Sequence, residues 1–199
     1  MFKKIISVFL CLMTSSPLLW ASPGDTTTYT VDVSASKLHW SCDVHHGHVL
    51  LKKGTIKMIG NQLVDARITV QMDSISDLDI DYVLMQKTLQ NILRSDVFFN
   101  TKKYPEAIFR LIRAKQLPGG KYWVQGDLDL TGVSNCIYFN IFIEKHGHDI
   151  NVTSDPFNVD RLGWGIASYS KHIATSEKNF VVSDTIFFNF QLLARETNK

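Results

Sequence analysis

The sequence predicts an all-β fold, a barrel or sandwich of about eight closely spaced antiparallel strands with one short helix. Three observations lead there. Apolar and polar residues alternate with a period of two over most of the chain, the mark of strands with one buried face. Turn signals separate the alternating runs, at Gly60-Asn61, at Pro118-Gly119-Gly120 and at Gly147 between two histidines. One segment alone, about residues 81–94, changes to helical spacing.

Size and composition agree with this class. The 199 residues are 45% hydrophobic with a formal charge of +2, enough for one domain with a sizeable core. The near-neutral balance argues against nucleic acid as the main partner, because neutralising phosphates takes a concentrated basic patch. The N-terminus reads as a leader. Lys3 and Lys4 precede a short apolar run, Ile5 to Met13, and a cleavage point follows Ala21. The run is too short to cross a bilayer, and Cys11 follows Leu10 rather than the small residue a lipid-anchored cysteine wants. The expected organisation is a signal peptide over 1–21, a single domain over 22–199, and export to the periplasm or beyond.

The strands follow in order. In "SKLHWSCDV", Leu38, Trp40, Cys42 and Val44 alternate with polar residues. "GTIKMIG" places Ile56 and Met58 on one face. "DARITVQMDS" alternates Ala66, Ile68, Val70 and Met72 with Arg67, Thr69, Gln71 and Asp73. After the helical segment, "EAIFRLIR" offers Phe109 and Leu111. "GKYWVQGDLDLTG" offers Tyr122, Val124, Leu128 and Leu130, with Asp127 and Asp129 facing outward. "CIYFNIFIEK" offers Ile137, Phe139, Ile141 and Ile143. A further strand lies around Ile150 to Val159. "DTIFFNFQLLAR" closes the set with Ile186, Phe188, Phe190 and Leu192.

The helix is expected from the spacing of Tyr82, Met85, Leu89, Ile92 and Leu93, with Asp79 or Asp81 as its cap. Its exit, "ILRSDVFFNTKKYPEAIFRL", sets Phe98 and Phe99 before a turn that Pro105 ends. Both rings are expected as apolar plugs where helix meets sheet.

This stretch resembles the signature of the YceI-like proteins: "LRSDVFFNTKKYPEAIF" has the leucine, serine, acidic residue and two phenylalanines, then lysine, aromatic, proline and a strand ending in Phe. "YTVDVSASKLHW", "GDLDLTGVSNCIYFNIFI", "VDRLGWGI" and "NFVVSDTIFFNFQLLA" resemble further pieces in the family's order, so the likeness runs from about Tyr29 to Ala194. The resemblance implies an eight-stranded antiparallel lipocalin-like barrel whose elongated apolar interior holds a polyisoprenoid or isoprenoid-quinone chain, in an exported protein with no required cofactor. Many members carry histidines where Ala35 and Ile92 stand here, so contacts made by those rings do not carry over.

The alternation reaches a related place. The inward-facing set is Trp40, Ile56, Met58, Ile68, Val70, Met72, Phe109, Leu128, Leu130, Phe139, Ile141, Phe188 and Phe190. An eight-stranded barrel lined this way either packs shut or holds one small ligand, and periodicity does not distinguish the two. With a ligand, these residues form its site together with Phe98 and Phe99, and Trp164 is expected to close one mouth over that pair. The alternative is a packed barrel whose loops recognise an envelope protein or a metal; a homodimer is also open. His45, His46 and His48 form one cluster and His146 and His148 another, both at expected turns. They are assigned to solvated loops, and no metal ligand is committed. Asp160 and Arg161 suggest a structural salt link at the barrel rim. Strand parity sets Cys42 on the apolar face and Cys136 on the outer one, which disfavours a disulfide. No nucleophile elbow, phosphate-binding glycine loop or H-E-x-x-H helix occurs, so no enzyme is expected.

Overall fold

The computed structural model describes residues 24–172 and 181–197; the leader expected over 1–21 lies outside them. Among the described residues ten strands and one α-helix follow in order: β1 (Thr26–Val31), β2 (Lys37–Ser41), β3 (His46–Ile59), β4 (Gln62–Asp77), α1 (Val83–Arg94), β5 (Glu106–Gln116), β6 (Lys121–Leu130), β7 (Val133–His146), β8 (Asp149–Ser154), β9 (Phe157–Asp160) and β10 (Thr185–Glu196). Pairings among these strands are antiparallel throughout.

Ten strands occupy eight positions around a closed ring. β3 through β8 pair consecutively. β8 pairs with the last part of β10 and β9 with its first part. On the other side of β10, β1 takes the last part and β2 the first. β1 and β2 both pair with β3 as well, which closes the ring. Thus β1/β2 and β8/β9 are each one broken ring position, and the eight-stranded lipocalin-like barrel is what the chain forms.

Both breaks have local causes. Between β1 and β2 the Asp32 carboxylate accepts the Ser34 and Ala35 amides, while Ser36 Oγ donates to the Asp32 carbonyl. Between β8 and β9 stands Pro156, which has no N–H for the ladder, and the Asp155 amide turns to the Asn140 carbonyl. The β3–β4 hairpin carries three register shifts; such bulges bend a strand and add twist, as a long hairpin wrapping a barrel requires.

Several elements differ from expectation. β3 begins at His46, not near Gly54, so His46 and His48 are strand residues rather than loop residues. Gly47 looks like a turn signal but serves close approach: a Cβ there would lie 1.8 Å from the Ser76 carbonyl oxygen and 2.8 Å from the Trp40 ring. β1 carries little alternation, since four of its six residues are threonines, and only the family resemblance of "YTVDVSASKLHW" points to a strand there. α1 starts two residues later than expected, and its N-cap is Tyr82 with no side-chain cap. Asp79 is unavailable because it accepts the His46 amide instead. Tyr82 and Met85 are exposed, whereas Leu93 is buried and Leu89 packs against the core.

Candidate functional site

Inside the ring lies an apolar cavity of about 600 Å³, within the roughly 300–1,000 Å³ of small-molecule pockets. Every residue expected in the ligand site lies on its wall except Met58 and Trp164: Trp40, Ile56, Ile68, Val70, Met72, Phe98, Phe99, Phe109, Leu128, Leu130, Phe139, Ile141, Phe188 and Phe190. Strand alternation turns all of these side chains inward except Phe98 and Phe99, which the turn after the helix places, and closure of the ring brings them together.

Alternation also reaches lining residues that the expected set omitted. Val49 and Leu51 follow Gly47 in step, but the flanking histidines mask the strand. Val124 shares its parity with Leu128. Phe157 follows Pro156 and gives little periodic signal. Its ring stacks on Phe139 at 4.5 Å between centroids and lies 5.8 Å from Phe188. With Phe109, 5.4 Å from Phe139, it completes an aromatic belt across β5, β7, β9 and β10.

One end of the barrel is shut. Met58, Tyr122, Ile150 and Ala194 are almost fully buried there and stand outside the cavity wall, so Met58 is a plug residue. Tyr122 donates its hydroxyl to the Asn61 carbonyl, and Lys145 reaches from β7 to the Gly60 carbonyl at 2.8 Å. The β3–β4 turn is thereby pinned across the barrel end.

The opposite end is the mouth. Leu89, Ile92 and Leu93 of α1 border the cavity there, together with Val44, His45, Phe98 and Phe99. Arg94 Nη2 donates to the Ile75 carbonyl at 2.9 Å and ties the helix to β4. The backbone folds Phe99 inward: its amide donates to the Leu93 carbonyl, and Asn100 takes a positive φ of 44°. Phe98 and Phe99 are both buried, as expected of rings at the helix–sheet junction.

Trp164 does not cover them. It is buried, but its Nε1 donates to the Leu128 carbonyl at 2.9 Å and its carbonyl accepts Thr131 Oγ1 at 2.8 Å. It fastens the turn over Arg161–Trp164 to β6. Tyr169 takes the place expected for it, stacked on Phe98 at 6.1 Å, and the Arg161 guanidinium lies 5.4 Å from the Phe98 centroid.

Arg161 is a salt link, though with Asp184 at 2.9 Å rather than Asp160. Asp160 instead accepts the Leu162 amide as an N-cap. Arg161 also donates to the carbonyls of Ile166, Ser168 and Ser183. Burial pulls its pKa down, and the neighbouring Asp184 and Asp160 charges oppose that shift. A buried guanidinium with this many acceptors holds two segments of the rim in place, and it borders the cavity.

A second polar group stands at the mouth. His45 Nδ1 lies 3.1 Å from Asp79 Oδ2 and 3.6 Å from Asp77 Oδ2. Burial, with Asp79 alongside, raises the pKa of Asp77. Burial also works against the Asp79 charge, but the His46 amide, Asp77 and His45 outweigh it and hold that pKa at about 2. The two histidine clusters do not meet. His46 pairs opposite Ser41 at the mouth, whereas His146 pairs opposite Asp149 at the plugged end. Cys42 borders the cavity while Cys136 is exposed, and both are free thiols. Asp129 faces outward and pairs with Arg110.

A model of the YceI-like domain matches residues 29–194. A UPF0312 protein of Photorhabdus laumondii is 30% identical over 156 residues, covering 75% of this chain and 77% of the relative. Among solved structures, BcnA of Burkholderia cenocepacia superposes with a TM-score of 0.68 at 18% identity, covering 82% of this chain and 98% of that one. A polyisoprenoid-binding domain from Saccharophagus degradans gives 0.59 at 18% identity, covering 85% and 98%. At these identities the structural likeness concerns the fold, and it matches the ring described above.

Proposed function

The chain belongs to the YceI-like family, and from that premise we propose that it is a binding protein holding the apolar chain of a polyisoprenoid lipid, such as an isoprenoid quinone, inside its barrel. The observation that carries the reading is the cavity: about 600 Å³, plugged at one end and walled almost wholly by aliphatic and aromatic side chains. Burial is worth about 0.8 kcal/mol per methylene, so each isoprene unit brings roughly 4 kcal/mol before the cost of ordering the chain is counted. No catalytic group is needed for such binding. The polyisoprenoid-binding domain of like fold supports the choice of ligand class, and a binding role fits the cavity better than a catalytic one. The lysine-led apolar stretch over 1–21 supports action in the periplasm or beyond.

The test is to purify the protein without detergent, extract it with organic solvent and weigh the extract by mass spectrometry. About one long-chain isoprenoid per protein molecule is expected. Ala107→Trp, which projects an indole into the cavity from β5, is expected to abolish it. An extract free of such lipid, from protein that also fails to take up added quinone, contradicts the reading.

A further inference from the structure

We propose that His45, Asp77 and Asp79 form a divalent-cation site at the barrel mouth, for an ion of the zinc class. Each residue offers one ligand atom, and those atoms all lie within 4.8 Å of one another. An ion with bonds of about 2.0–2.2 Å to imidazole nitrogen and carboxylate oxygen fits between them. The mixed donor set favours zinc over magnesium or calcium, which take shells of oxygen alone. The fold itself assembles the group. Gly47 and Asp77 are register partners of β3 and β4, and the Leu78 amide donates to the His46 carbonyl, which holds the segment after β4 beside the start of β3.

The independent sign is Asp77. Its side chain is fully buried. Oδ1 accepts the Ile80 amide, but Oδ2 is buried with no hydrogen-bond partner and points toward His45. A buried carboxylate oxygen without a donor is costly and rare. A cation at this point satisfies it and also separates two carboxylates that otherwise face each other. Among the described residues, neither Asp77 nor Asp79 has a lysine or arginine within ion-pair reach. Asp79 is already aimed, because its Oδ1 accepts the His46 amide at 2.9 Å; such outer contacts orient metal ligands. Three protein ligands leave a coordination position open. Since His45 borders the cavity, that position lies at its entrance, where a water or an oxygen of a bound molecule can enter it.

The experiment strips the purified protein with a chelator and titrates it with zinc alone by calorimetry. About one equivalent per chain is expected to bind. His45→Ala and Asp79→Asn are each expected to weaken binding by about ten-fold or more, and His146→Ala, at the plugged end, to leave it unchanged. Thermal melts with and without zinc give a second readout: zinc raises the midpoint of the parent protein and fails to raise that of Asp79→Asn, an exposed and near-isosteric change that tests the site even if His45→Ala does not fold. A parent protein that takes up no zinc, as it would if the two carboxylates share a proton instead, overturns the proposal. So does uptake that both variants retain.

Discussion

Gly126 stands on the inner face of β6, and a Cβ there would lie 2.2 Å from a Phe109 ring carbon and 2.6 Å from the Arg110 carbonyl oxygen. The missing side chain is what lets Phe109 lie against the wall. Gly126→Ala should therefore cost about 1–3 kcal/mol, the usual effect of overpacking, measured as a shift in the urea midpoint. It should also push the Phe109 ring into the cavity. Arg161 poses a different question, because a buried pair stabilises little in itself but is costly to break. Arg161→Met strips the buried Asp184 of its guanidinium partner and leaves it the Ser170 hydroxyl, and should cost about 3–5 kcal/mol. Adding Asp184→Leu should recover much of that loss in a double-mutant cycle; purely additive losses would mean that the two side chains act separately.

The helix α1 has one working face. Leu93 is 8% exposed and borders the cavity, whereas Leu84 is 65% exposed. Leu93→Ala should cost about 2–4 kcal/mol and Leu84→Ala no more than about 0.5, both read by denaturation. The turn between β1 and β2 depends on Asp32. Hydrogen bonds from Ser34, Arg195 and Ala35 hold its carboxyl at about 2, below the usual value of about 3.9. A depressed carboxyl contributes stability that is present above the unfolded pKa and is lost as pH falls toward the folded one. Asp32→Asn should therefore be less stable than the parent at neutral pH, and the gap should close as pH falls from about 4 to 2; a gap that persists at pH 2 would assign the loss to geometry rather than charge. Elements such as β6, β7 and β10 are legible in the sequence because each has one packed face and strict alternation. The start of β3 is not legible because its first residues are His46 and His48, polar rings on an outer face, and Gly47, a glycine that close packing demands. The α1 cap is not legible either, because Asp79 has a stronger partner across the hairpin, a long-range contact that local spacing does not reveal.

For the molecule as a whole, the alternation that marks each strand also marks the wall of a cavity, which is why most of that wall is legible in the chain. Depth could not be read. Ile56 and Met58 share a strand face, yet Ile56 borders the cavity and Met58 belongs to the plug, a difference set by the register of β3 against β1 and β4. The same limit misplaced Trp164, whose position follows from the turn after β9. Whether an inward-facing set packs shut or surrounds a space depends on ring size and strand stagger, and here two ring positions are each assembled from two short strands. The account rests on that space holding a lipid chain. Its most direct test is the experimental electron density of the protein crystallised as purified, with no lipid added. The account predicts one continuous tube of density running from beside Phe98 and His45 at the mouth, past the Phe139–Phe157 pair, and ending before Tyr122. Density of isolated waters alone, or side chains collapsed into the space, would contradict it.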